Sequence, residues 1–251
     1  MRSQFFKSCH CLLIPLILSQ TISVKGQSVD TLKLGENLIA NVSNSVSRYL
    51  VVTVNNDKPL PVSIVERTVK VNPAKNSFSS TIRSFNLDTT KNDVRTSVAL
   101  VRGILPVSNA VSNGPVTMTT LFSKDSILLK MDSIKTGTSR KLSFHQLLKG
   151  YDFELDYEML ASLPWKEQYK VAIPFYQPGT KGNAKYYLYE VVGSEDYKAD
   201  GYPAISCWKI MSKSYTSGLC TWWISKKDKQ VLKESRERPG QKFTIRTLIS
   251  Y

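Results

Sequence analysis

Period-two alternation of apolar and polar residues dominates the chain. Arg48-Tyr49-Leu50-Val51-Val52-Thr53-Val54 is β-branched and aromatic, and Asn55-Asn56-Asp57-Lys58-Pro59 then turns the chain. Val62 to Val71 reads as a second strand ended by Asn72-Pro73. Two such runs around an Asn/Asp/Pro cluster predict a hairpin. Val94 to Val101 is a further strand, and Ser126 to Asp132 places Ile127, Leu129 and Met131 on one face. Lys170 to Phe175 is a strand with Pro174 near its end, and Lys185 to Val192 is an aromatic one. Strands near 204–211, 219–225, 230–236 and 243–249 close the chain, with turn signals at Ser217-Gly218, Lys227-Asp228 and Pro239-Gly240.

Helical spacing is scarce. Leu155, Met159, Leu160 and Leu163 predict one short helix over Phe153 to Leu163, which Pro164 stops. A second short helix is expected near Phe144–Leu148. Strands at this spacing, with turns between them, indicate a sandwich, a barrel or a curved sheet. The segment Asn86 to Asn113 is polar and loop-rich, but no long linker follows it. The expectation is one antiparallel β domain over residues 27–251.

The first residues read differently. Arg2 and Lys7 precede the apolar run Cys11 to Leu18. That run suits a secretory h-region of roughly 7–15 residues and is too short for a membrane span of roughly 20. Val24 and Gly26 fit the −3 and −1 positions of a cleavage site, so residues 1–26 are expected to be a signal peptide cut near Gly26-Gln27. The expected location is the periplasm or the exterior, with no transmembrane span in the mature chain.

The formal charge is +14 at pH 7. Lysines and arginines are scattered, with no run longer than two in the mature part, which predicts a solvated basic surface and no nucleic-acid partner. Contact with anionic lipid stays open.

Candidate chemistry is thin. His145 is the one histidine after residue 26, and no second ligand or base stands at helical spacing from it. Asp152, Glu154, Asp156 and Glu158 alternate, and the start of a helix favours such acids through its dipole. They are expected to lie on a solvated face, not to form a glycosidase pair. Pro178-Gly179-Thr180-Lys181-Gly182-Asn183 lacks phosphate-loop spacing and opens no helix. No catalytic group, metal site or cofactor is expected.

Cys207 and Cys220 are the two cysteines after residue 26. If Ser212 to Gly218 is the turn, opposed residues sum to 427 and the two cysteines face each other. A structural disulfide is then expected in an exported chain, worth roughly 3 kcal/mol, against the alternative of two free thiols. Aromatics concentrate in the C-terminal half. Phe175, Trp208, Trp222 and Trp223 are the weak candidates for contact with an apolar ligand.

Several motifs carry a resemblance. Leu163-Pro164-Trp165-Lys166-Glu167-Gln168-Tyr169 stands before Ile173-Pro174-Phe175-Tyr176. Lys185-Tyr186-Tyr187, Val191-Val192-Gly193-Ser194-Glu195, Cys207-Trp208-Lys209-Ile210 and Thr221-Trp222-Trp223-Ile224 follow in order. Over about residues 150–236 the chain resembles a family of exported Gram-negative bacterial β proteins of unknown function. That family is similar in fold to periplasmic lipoprotein carriers of the LolA/LolB type. The resemblance implies an unclosed half-barrel whose concave side holds acyl chains under a helical lid, and it implies no catalytic residues. The departure is the lid: those carriers use several helices, and one is evident here.

Two functions follow as expectations. One is a periplasmic protein binding a lipid, lipoprotein or other apolar ligand on a curved sheet. The other is a structural or protein-interaction module of the cell envelope. A wide dry concavity favours the first, and faces filled by the protein's own side chains favour the second.

Overall fold

The computed structural model describes residues 28–36, 38–55, 58–198, 203–215, 218–238 and 242–250. The expected signal peptide, the tip of the first hairpin and the turns at 216–217 and 239–241 lie outside them. No helix among the described residues is long and apolar enough to cross a membrane.

The described residues form one 17-stranded sheet. The first half supplies β1 (Asp30–Thr31), β2 (Ser45–Asn55), β3 (Lys58–Pro59), β4 (Ser63–Asn72), β5 (Ser77–Phe85) and β6 (Val94–Leu100). β7 (Pro106–Asn113), β8 (Val116–Phe122), β9 (Ser126–Ser133), β10 (Thr138–His145) and β11 (Tyr151–Asp152) follow. After a 3-10 turn at Phe153–Leu155 comes the helix α1 (Asp156–Ser162). The chain ends with β12 (Lys170–Tyr176), β13 (Lys185–Tyr197), β14 (Ile205–Tyr215), β15 (Gly218–Ser225), β16 (Val231–Arg238) and β17 (Lys242–Ser250).

Sequential antiparallel pairing runs from β4 to β10 and from β12 to β17. β17 then pairs with β2, and β2 with β4, which welds the two runs into one ladder. The polar segment 86–113 is therefore part of that ladder and contributes β6 and β7. One margin is β10. The other is β12, along which β1 and β11 lie parallel.

The sheet is curved, and no ladder joins β10 to β12, so it stays open as the sequence predicted. The margins nonetheless meet at a seam. Tyr176 at the end of β12 packs edge-on against Phe122 of β8, with ring centroids 5.7 Å apart. The Gly179 N–H donates to Thr120 Oγ1 at 3.2 Å, and the Ala184 N–H to the Leu148 carbonyl at 3.1 Å. Gly179 has φ +80°, a conformation that favours glycine at this crossing, where the end of the Met118 side chain packs against it.

The inner face holds the core. Tyr49, Val69 and Phe78 point inward from β2, β4 and β5, and Val171, Ile173, Phe175, Tyr189, Ile210, Trp222 and Ile224 from β12 to β15. α1 and the 3-10 turn before it lie against them and bury Leu155, Met159 and Leu160 completely. At its C-terminal end the Trp165 Nε1–H donates to the Leu160 carbonyl at 2.7 Å, satisfying one of the orphan acceptors of a helix end. Pro164 ends the helix as expected. The helix is shorter than predicted because its first turn is 3-10.

Two expectations fail here. No helix forms near Phe144–Leu148: Phe144 and His145 instead pair with Ile127 and Ser126 in the β10–β9 ladder. The cysteine register also differs. β14 continues through the polar residues 212–215, so Cys207 opposes Ser225 and Cys220 opposes Ser212, a sum of 432. The cysteines are thus offset by five positions, about 16 Å along a strand, where a disulfide needs Cα atoms within about 7 Å. An odd offset also puts them on opposite faces. Cys207 packs on the outer face with Trp223 and Leu232, and Cys220 lies in the inner core. Both are free thiols.

Candidate functional site

The inner face divides into a filled part and an uncovered part. The filled part is organised by the run 152–158, which brings acids to the arginines of the facing strands. Arg67 Nε of β4 donates to Glu158 Oε1 at 2.8 Å, and Ser80 Oγ of β5 to the same oxygen at 2.8 Å. Arg67 also reaches the Glu154 carbonyl at 2.7 Å and Asp156 at 3.7 Å. Arg95 of β6 lies 3.3 Å from Glu154. On the far side of the helix Tyr157 donates to Glu234 of β16, which also contacts Arg236 and, at 3.4 Å, Arg246.

The alternating carboxylates are therefore not a solvated face, as the sequence suggested. Glu154, Asp156 and Glu158 enter ion pairs in the interior, because the curved sheet lays arginines over the helix. Alternation in a polar run gives no hint of partners about 60 to 90 residues away. Asp152 differs from the others. Burial pushes its carboxyl up from the ordinary value of 3.8 to about 7, against the hydrogen bonds it accepts from the Glu154 N–H, Ser97 and Asn109. One of its oxygens, Oδ2, has no hydrogen-bond partner.

Two clefts flank this network. One of about 160 Å³ is lined by Arg67, Arg95, Glu154, Asp156, Arg236 and Arg246 among others. A second of about 490 Å³ opens between β2, α1 and the 228–231 turn. Tyr49, Arg67 and Tyr157 border both. Neither is a dry acyl pocket: opposite charges line the first, and Asn41, Ser43, Asn44 and Gln230 line much of the second.

The aromatic candidates do not line a ligand site together. Phe175 is 1% exposed and Trp222 fully buried, both inside the core. Trp208 is partly buried against the same core with the Lys226 ammonium 4.0 Å above its ring. Trp223 points to the outer face, between Lys209 at 5.2 Å and Lys233 at 4.5 Å. Trp222 and Trp223 do face opposite sides, as adjacent strand residues must. His145 is exposed on the marginal strand β10. No group of three or more His, Cys, Asp or Glu residues able to hold a metal ion occurs among the described residues.

The uncovered part is the inner face of β7 to β10. Strand register aligns Arg67, Ile82, Arg95, Val111, Met118, Met131 and Arg140 in one row from β4 to β10. The next row carries Asn109, Thr120, Leu129 and Leu142. Val116, Met131 and Leu142 are 36%, 47% and 37% exposed on this side, with Val111, Met118 and Leu129 half-buried beside them. Phe122, Ile127 and Phe144 continue the apolar surface into the seam, where Tyr176 and Ala184 cover it. Sequence reading singled out Ile127, Leu129 and Met131 as one face of a strand without saying what that face meets.

No curated protein matches the chain. A solved β-barrel-like protein of the domain of unknown function DUF1849 from Brucella abortus is similar in fold, at TM-score 0.53 and 7% identity. That match covers 84% of this chain and 98% of the other. A DUF1329 family protein from Desulfovibrio piger aligns over 82% of this chain and 83% of its own, at 11% identity and TM-score 0.33. The family model described as "Protein of unknown function (DUF3108)" matches residues 48–244, which take in the ladder from β2 into β17 and most of the site just described, leaving out Asn41, Ser43, Asn44 and Arg246. The chain belongs to the DUF3108 family.

Proposed function

We propose that this protein is a non-catalytic carrier or receptor for an apolar chain, such as a lipid acyl group, and that the chain lies on the inner face of β7 to β10. The observation that carries the reading is the exposure of Val116, Met131 and Leu142 on a concave surface whose remaining area the protein fills itself. The aromatic cluster around Phe175 and Trp222 is structural in this reading. Two methionines, Met118 and Met131, suit a surface that adapts to flexible ligands. Burying ten methylenes contributes about 8 kcal/mol gross. Ordering and association costs of at least about 4 kcal/mol offset much of that, so binding is reversible.

The apolar run Cys11 to Leu18 behind Arg2 and Lys7 supports a periplasmic or exported location, where such ligands move between membranes. The resemblance of the motifs over residues 150–236 to a family similar in fold to LolA/LolB-type carriers favours the same reading. An envelope-protein module has one observation in its favour, the margin of β10 without a ladder beyond it. Arg140 and Lys141 on that strand count against strand addition.

Native mass spectrometry with lipid extraction, on protein purified from its own compartment, tests the proposal. A co-purifying fatty acid, phospholipid or acylated peptide, lost in Met131→Asp and Leu142→Asp, supports it. A clean apo mass with no uptake on titration overturns it.

A further inference from the structure

The outer face carries a second surface that the inner-face reading does not use. Strand register aligns Lys209, Trp223, Lys233, Thr247, Leu50, Ile64 and Phe85 in one row across β14, β15, β16, β17, β2, β4 and β5. The row changes character along its length. Its first three residues are a tryptophan held between two lysines. Its last three are apolar, and Ile64 and Phe85 are 38% and 48% exposed. Neighbouring outward positions extend the apolar part: Val52 and Val54 on β2 stand beside Ile245 and Phe243 on β17. Val62 is exposed at its edge. The patch spans four strands, about 14 Å at the usual strand spacing.

Cations border it. Arg48 and Arg83 share one carboxylate, Glu66, so the three leave one positive charge over. Lys70 is exposed on the same side. Lys209 pairs with Glu195 at 3.1 Å, but this is an exposed pair and worth little. Isolated apolar residues on a surface need no explanation, but a contiguous patch marks an interaction site, and around this one the cations Arg48, Lys70, Arg83, Lys209 and Lys233 outnumber the acids Glu66, Glu195 and Glu237. The excess of cations around the patch and the net positive formal charge, +14 for the full sequence and +11 without Arg2, Lys7 and Lys25, fit one occupant, the headgroup region of an anionic bilayer.

We infer that the outer face of β17, β2, β4 and β5, with Lys209 and Lys233 beside it, docks this protein on an anionic membrane surface. The apolar residues sink among the headgroups and the lysines meet the phosphates. This does not depend on a ligand on the inner face.

Flotation with phosphatidylcholine vesicles, with and without 30% phosphatidylglycerol, tests it (about 30%, an experimental choice that raises surface charge). The protein is expected to float with the anionic vesicles only, and high salt should release it. Lys209→Gln and Lys233→Gln should each weaken binding about fivefold. Ile64→Asp with Phe85→Asp should abolish it. These side chains are exposed, and an unchanged circular dichroism melt checks that the variants fold. Met131→Asp on the inner face should leave flotation unchanged, which separates this inference from the proposed carrier role. Absence of flotation overturns it, as does equal flotation by the Ile64/Phe85 variant. Self-association that this double variant abolishes, without vesicle binding, would instead make the patch a contact between copies of the chain.

Discussion

Arg67 of β4 and Glu158 of α1 form a bidentate ion pair whose side chains are only 8% and 5% exposed. It ties the one helix of the described residues to the sheet from the inside. Ser80 supplies a third partner to the same carboxylate, and although burial works against the charge on Arg67, the Glu158 and Asp156 carboxylates outweigh it and hold the guanidinium charged.

Removing one partner strips the other buried charge of its main counter-ion, leaving Arg67 with Asp156 at 3.7 Å or Glu158 with Ser80. Arg67→Met and Glu158→Gln are each expected to cost about 3–5 kcal/mol in urea unfolding. The double replacement should cost less than the sum of the two, and a strictly additive cycle would contradict the pairing.

Stability should depend on pH through Asp152. Its folded-state value of about 7 lies above the ordinary 3.8, so the folded protein holds the proton more tightly. The contribution is full below about pH 3.8 and is lost as pH rises through about 7. Melting temperature should therefore fall between those limits relative to Asp152→Asn, in which that slope disappears. Matching pH profiles for both proteins would count against a buried protonated carboxyl.

The two cysteines should behave as buried thiols. Burial pushes Cys207 up to about 11 and Cys220 to about 12, so neither is a ready nucleophile. Iodoacetamide should label both in denaturant without prior reduction, and neither in the native protein over the same time. A mass two units short, restored by reductant, would establish the bridge that the register excludes.

Trp222→Ala should act on folding, not on ligand choice. The ring is fully buried against Tyr189, with centroids 5.3 Å apart, and truncation should cost about 3–5 kcal/mol. Leu142→Asp should leave stability within about 1 kcal/mol while weakening uptake of an acyl ligand, because its side chain is 37% exposed. Urea titration and ligand titration on the same preparations separate the two effects.

Strands rich in valine, isoleucine and tyrosine were legible because side-chain chemistry and period agree in them. β2, β4, β9 and β12 to β17 fall within a few residues of their expected positions. β5, β7, β8 and β10 were not, since Ser77-Phe78-Ser79-Ser80-Thr81 and Thr138-Ser139-Arg140-Lys141 carry the polar composition of loops. Their strand state is imposed by neighbours in the ladder, which no local window contains. The hairpin of β14 and β15 shows the same limit at finer grain. Polar residues before Gly218 looked like turn, yet they extend the strand, and that shift moved the cysteines apart. The inner charged network was invisible for a related reason: Arg67, Arg95, Glu158 and Glu234 meet only after the sheet has curled.

The seam gives the molecule an adjustable girth. Where a closed barrel fixes its circumference by an unbroken hydrogen-bond ring, here the last join is made by Tyr176 against Phe122 and by a few loop amides around Gly179 and Asn183. Sliding β10 away from that loop would widen the hollow without breaking any strand pair. Amide exchange should accordingly be faster at the seam amides of Leu147, Gly179 and Ala184 than along β14 and β15, and it should slow when a guest props the roll at one width.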